Sequence, residues 1–198
     1  MSTIEYNGLL LKISRGLSEV DVRDLVFLCR GKIAPDNEET IQDVRSLFKA
    51  LEDHNNLGID RLEHLKELLK AVEKWPLLKH VKKFEIKRRE YNELLQQASQ
   101  VLDESNELER LILICRGKIS VESEGNVRDV RTLFTELENQ NNLGIGRLDI
   151  LKEILRATNN DDSLKKLEEF ERRRDEEEEF ESRRGNVRSV FFKRKNSI

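Results

Sequence analysis

One run of residues occurs twice in this chain, and that repetition limits what the chain can fold into. The first copy reads FLCRGKI and then QDVRSLFKALEDHNNLGIDRLEHLKELLKAV. The second reads LICRGKI and then RDVRTLFTELENQNNLGIGRLDILKEILRAT. Cys29 and Cys115, Phe48 and Phe134, Gly58 and Gly144, and Leu65 and Leu151 are each 86 residues apart. Upstream, Tyr6 with Tyr91 and Leu10 with Leu95 keep an offset of 85, so one residue was gained between the first two helices of copy two. A period this long fits no short solenoid repeat. It fits two tandem copies of one small domain, each large enough to bury a modest core.

Charged residues make up 38 % of the 198, yet the net charge is only −3. Strong charges of both signs spread along a chain suit helices with solvated faces, and they do not describe a dedicated nucleic-acid binder. Two prolines, nine glycines and 6 % aromatics complete an all-helical composition. The first residues, MSTIEYNGLLLKISRG, lack a basic start, a long apolar centre and a small-residue cleavage site, so no signal peptide is expected. No stretch approaches the roughly 20 apolar residues of a membrane span. The two cysteines occupy equivalent repeat positions on apolar helix faces, which argues against a disulfide framework and for a cytosolic chain.

Six helices are expected in each copy. In copy one they cover about 4–13, 18–30, a short third element at 37–40, 41–53, 60–73 and a sixth opened by Pro76, where the missing N–H costs nothing. Ser18 with Asp21 forms a capping box, and Gly31 stands at the helix stop. Asn55 to Gly58 carries turn chemistry. Inward positions are Val44, Leu47, Phe48 and Leu51, then Leu62, Leu65, Leu68, Leu69 and Val72. From Pro76 to Asp103 there is no glycine and no second proline, and Leu77, Leu78, Val81, Phe84, Tyr91, Leu94, Leu95, Ala98 and Val101 keep helical spacing. The two copies are therefore expected to be joined without a flexible linker. After Phe170 the pattern decays into DEEEEFE and then a basic end.

Six short helices, FLCRGKI near the end of the second and LLKHVKKFE in the sixth together resemble the death effector domain. Both copies match, over about residues 1–174. The paired arrangement is similar to FLICE-inhibitory proteins and to the prodomain of initiator procaspases. The resemblance implies an all-α fold of two tandem six-helix death-fold bundles, 1–88 and 89–174, packed as a rigid pair. A charged, disordered tail would follow at 175–198. It further implies a non-enzymatic protein that binds other death effector domain proteins homotypically, namely a death-receptor adaptor and initiator procaspases, with self-assembly into filaments.

Two surface features come with the family. One is an exposed hydrophobic pair on the second helix, held here by Phe27 and Leu28 and by Leu113 and Ile114. Five successive apolar residues, Leu25 to Cys29, cannot all face inward in a helix, so at least one is exposed. The other is a charge triad joining an acid on the second helix to an R-x-D-L-L motif opening the sixth. Asp21 and Glu107 fit the acidic position. Copy one then reads Lys74, Trp75, Pro76, Leu77, Leu78, with Lys for Arg and Pro for Asp. Copy two reads Asn160, Asp161, Asp162, Ser163, Leu164, keeping the acid Asp162 and losing Arg. Lysine lacks the planar guanidinium fork, so the triad is degenerate in both copies.

The sequence C-R-G also ends a caspase active-site motif, and His64 lies 51 residues before Cys115. Phe-Leu and Leu-Ile precede the cysteines where that motif has Gln-Ala, and the motif occurs twice by duplication. Core cysteines are the better reading. Three scattered histidines give no metal spacing, and no cofactor is expected. Arg188, Lys193, Arg194 and Lys195 read as a solvated end, with Phe191 and Phe192 beside them. The favoured function is a FLIP-like modulator of adaptor–procaspase assembly in apoptosis signalling, in the cytoplasm. The alternatives are the recruitment prodomain of an initiator caspase, or a nuclear death effector domain protein using its basic tail on nucleic acid.

Overall fold

The computed structural model describes residues 4–34, 41–104 and 107–195. Among them lie ten α-helices and no strand. In the first copy these are α1 (Ile4–Arg15), α2 (Glu19–Leu28), α3 (Val44–Asp53), α4 (Glu63–Ala71) and α5 (Trp75–Glu104). The second copy has α6 (Leu108–Ile114), α7 (Val121–Glu124), α8 (Val130–Asn139), α9 (Asp149–Ala157) and α10 (Asp161–Lys195). The short element expected at 37–40 lies outside the described residues. The chain divides into two compact units, Met1–Asn92 with Thr135–Gly146, and Glu93–Phe134 with Arg147–Ile198.

Local chemistry fixes the helix ends. Ser18 caps α2 by accepting from the Asp21 backbone N–H at 3.3 Å, while the Asp21 carboxylate accepts from the Ser18 N–H at 2.7 Å. A second capping box, Asp43 with Ser46, starts α3 at Val44, three residues later than apolar spacing alone suggests. Such caps each stabilise a helix by about 1 kcal/mol. Past α2 and α6 the chain reverses through Gly31 and Gly117, both at φ +79°, where a side chain would be strained. Asn55 and Asn141 take the same left-handed role after α3 and α8.

In the first unit one core gathers Tyr6, Leu9 and Ile13 from α1, Leu25 and Cys29 from the end of α2, and Leu47, Phe48 and Leu51 from α3. Leu65, Leu68 and Leu69 of α4 and Leu78 and Val81 of α5 close it. The Tyr6 hydroxyl is not wasted in this core, because it donates to Glu52 at 2.8 Å. The second copy buries the 86-residue equivalents: Leu111, Cys115, Leu133, Phe134, Leu137, Leu151, Ile154 and Leu155. The same periodic apolar pattern therefore builds the same interior twice.

The segment from Trp75 to Glu104 is a single helix of 30 residues, α5, with no glycine or proline after Pro76. Its register drifts from the expected one near the end: Val101 is 45 % exposed and Leu102 is buried in its place. Val72, expected inward, is half-buried. The backbone of α10 is helical from Asp161 to Lys195.

Leu69→Ala and Leu155→Ala should each cost about 2–5 kcal/mol in denaturant unfolding, since both are 1 % exposed or less. Val101→Ala should change stability by no more than about 0.5 kcal/mol.

Candidate partner-binding site

The register of α2 is set by Leu25 and Cys29, which are 1 % and 0 % exposed. Residues four apart share a face, and a residue between them is turned about 200° away from the first. Phe27 is accordingly 61 % exposed and Leu28 43 % exposed. The guanidinium of Arg30 lies 4.7 Å from the centre of the Phe27 ring. This cation–π contact leaves a large aromatic face held at the surface, not folded back into the core. The second copy repeats the logic. Leu111 and Cys115 are buried, Leu113 is 59 % exposed and Ile114 is half-buried. Sequence alone leaves open which of five apolar residues point outward; the structure assigns Phe27, Leu28 and Leu113 to the surface.

The acid on α2 is tied to the start of α5. The Lys74 ammonium lies 2.6 Å from the Asp21 carboxylate. Burial opposes ionisation of Asp21, but hydrogen bonds from Lys74 and Ser18 and the nearby ammonium charge outweigh it and hold the carboxyl at about 2. Lysine thus preserves one arm of the charge link as a point contact, without the bidentate geometry of arginine.

The second copy reaches a similar end by a different residue. Glu107 accepts from Arg110 at 2.9 Å, and the same guanidinium donates to the carbonyl of Ala157, at the end of α9, at 2.8 Å. Arginine is missing from the start of α10 but present on α6 itself. Asp162 is exposed in the first turn of α10 and takes no part in this link. Asn160, at the position of Lys74, instead accepts from the Ser163 backbone N–H at 3.3 Å. Sequence reasoning missed Arg110, although its spacing of three from Glu107 is the signal for an ion pair on one helix turn.

The cysteines are internal. Burial pushes the Cys29 thiol up to about 11, and the Cys115 thiol likewise to about 11. Both are protonated at neutral pH, whereas a nucleophile or metal ligand needs thiolate. His64 stands beside Cys29, its Nε2 3.9 Å from Sγ. Glu67 lies 3.7 Å from His64 Nδ1. The trio has a suggestive composition, but its thiol is fully enclosed and un-ionised. Among the described residues no group of three or more His, Cys, Asp or Glu is placed to hold a metal, and no helix is long and apolar enough to cross a membrane.

The model for the death effector domain matches residues 6–87 and again 91–173, and the chain belongs to this family. It is 35 % identical over 75 residues to caspase-8 of Mus musculus, covering 38 % of this chain and 16 % of that protein. It is likewise 35 % identical over 77 residues to the FAS-associated death domain protein of Homo sapiens, covering 39 % and 37 %. Caspase-8 of Rattus norvegicus is 34 % identical over 80 residues, covering 40 % and 17 %. The chain thus matches well under half the length of each relative.

The Asp21–Lys74 link gives stability a signed pH dependence. A carboxyl held below its unfolded value near 3.9 stabilises the fold above that pH and loses this contribution as pH falls toward its folded value. Asp21→Asn should be less stable than wild type above about pH 4, and the two denaturation curves should converge as pH drops to about 2. A gap unchanged at low pH would assign the effect to packing.

Proposed function

We propose that the chain is a non-enzymatic homotypic interaction module in apoptosis signalling, acting as a FLIP-like modulator of adaptor–procaspase assembly in the cytoplasm. The observation that carries this reading is the outward placement of Phe27 and Leu28 in one copy and of Leu113 in the other, on helices anchored in the core by Leu25 with Cys29 and by Leu111 with Cys115. Burying such a side chain against a partner gains roughly 1.5–3 kcal/mol each. A counter-surface of matching character exists on the first unit: a shallow groove of about 250 Å³ between α1 and α3, floored by Leu10, Leu11 and Phe48 and edged by Arg45 and Lys49. A knob on one face and a groove on another favour head-to-tail contacts, which extend into filaments when they do not close.

Partners are inferred from the relatives. Similarity to the FAS-associated death domain protein and to caspase-8 supports binding to a death-receptor adaptor and to initiator procaspases. The same similarity to caspase-8 supports the second reading, a recruitment prodomain, in which these contacts promote activation. Partner-binding roles are proposed for Phe27, Leu28, Leu113 and Ile114. The same role is proposed for Asp21, Lys74, Glu107 and Asp162, with Arg110 added from the geometry.

Co-expression with an adaptor and an initiator procaspase separates the readings. Wild type should lower procaspase processing. Phe27→Asp with Leu113→Asp should lose co-precipitation and the inhibition while keeping wild-type helicity by circular dichroism. Increased processing by wild type would favour the prodomain, and unfolding of the variant would place these residues in the core.

Domains at 1–88 and 89–174 are proposed to move as a rigid pair, because α5 crosses that junction without a break. Domain-resolved NMR relaxation should give a single rotational correlation time, and two distinct times would contradict it.

A further inference from the structure

The Phe27 and Leu113 surfaces are common to both copies. Another helical face has diverged between them. On α5, Trp75, Lys79, Lys82, Ile86 and Arg89 recur at spacings of three and four and so share one side of the helix. That side faces water: Trp75 is 54 % exposed, Ile86 47 %, and the three cations are exposed. A solvent-facing row that places tryptophan and isoleucine among cations has the composition of a binding surface, since tryptophan and arginine are the residue types that anchor interfaces.

At the 86-residue equivalents on α10 the balance shifts toward acid. Asp161 replaces Trp75, Glu168 replaces Lys82 and Asp175 replaces Arg89, while Lys165 keeps the charge of Lys79 and Arg172 replaces Ile86. Residues 75–91 hold six Lys or Arg against two Glu, whereas residues 161–177 hold five Lys or Arg against eight Asp or Glu. Duplication has therefore left one chain with the same helix in a positive and a negative form. Glu168 and Asp175 pair locally, with Arg156 at 3.5 Å and Arg174 at 2.8 Å. The Arg156–Glu168 pair is exposed, worth little in water and readily exchanged, whereas in the second pair Asp175 is exposed and Arg174 is largely covered. Further along α10, Phe180 is 60 % exposed and lies about 120° around the helix from Glu168, at the edge of that side.

We propose that the Trp75–Arg89 face of α5 docks on the Asp161–Asp175 face of α10, with Phe180 at its edge, in a second copy of this chain. The contact is heterologous: each copy presents one positive and one negative helix, so it repeats from copy to copy without using the Phe27 surface. A phosphate backbone would use the lysines and leave Ile86 without a role. A lipid surface usually draws on about four or more clustered cations, and this face holds three. Complementary charge on α10 accounts for the basic members, and Phe180 at its edge offers a contact for the apolar ones.

The test uses the full chain carrying Phe27→Asp and Leu113→Asp, which removes the other proposed contact and keeps the two hypotheses separable. Sedimentation velocity should show self-association at about 50 mM salt that weakens steeply toward about 500 mM. Adding Lys82→Glu with Arg89→Glu, or Glu168→Lys with Asp175→Lys, should weaken it by roughly tenfold or more in each case. An equimolar mixture of the two charge-reversed chains should restore association. Trp75→Ala with Ile86→Ala, substitutions at exposed sites that leave the core intact, should also weaken it. Failure of the mixture to associate, or undiminished association of either reversed chain alone, overturns the proposal. So does loss of binding to anionic vesicles or duplex DNA by Lys82→Glu with Arg89→Glu while self-association persists.

Discussion

A helix of ten residues has one stripe to bury, and in α2 Leu25 and the capping Cys29 take it. Both are removed from water, and with the capping box at Ser18 they leave the helix no freedom to rotate. Everything on the opposite side is fixed by that choice. Phe27 cannot turn inward without exposing Leu25, an exchange that would gain nothing and would break the cap. The rest of the first unit depends on this register, because Leu47, Leu51, Leu65 and Leu69 pack into the same core. The surface depends on it as well, because an apolar pair held outward on a rigid helix is what gives a small domain something to bind with.

Duplication then separates what is structural from what is free to change. Interior positions are matched across 86 residues almost one for one, from Leu25 with Leu111 to Leu69 with Leu155. Links between helices are matched in position but not in residue. Asp21 reaches Lys74 directly, whereas Glu107 is connected through Arg110 to the carbonyl of Ala157. A tether can be rebuilt from any donor of suitable reach, so its residues drift while its place stays. Outer faces drift furthest: the row from Trp75 to Arg89 holds three cations and no acid, and its duplicate holds three acids and two cations. Packing tolerates few substitutions, ion pairs tolerate several, and solvated faces are limited mainly by what they meet.

How much of this was legible follows from the same ranking. The core positions of α3 and α4 could be read from apolar spacing, because burial imposes the 3.6-residue period directly. Gly31 and the Ser18 cap were legible because each answers a single backbone requirement. Val101 was misplaced because a period of 3.6 accumulates ambiguity over a long helix, and Leu102 satisfies the pattern nearly as well. The start of α3 was set too early because Ile41 is apolar but precedes its cap. Two tertiary contacts had no pattern to find: His64 beside Cys29, and Arg110 reaching Ala157. For Arg110 the Glu107 spacing offered half the signal; for His64, the contact spans 35 residues and no sequence pattern marks it.

The central claim is that α2 buries Leu25 and presents Phe27. Denaturant unfolding of Leu25→Ala and Phe27→Ala, measured side by side, tests it most directly. The account predicts a loss of about 2–5 kcal/mol for Leu25→Ala, at a site 1 % exposed, and no more than about 0.5 kcal/mol for Phe27→Ala, at a site 61 % exposed. A large loss at Phe27 with a small one at Leu25 would contradict the register, and with it the surface proposed for partners.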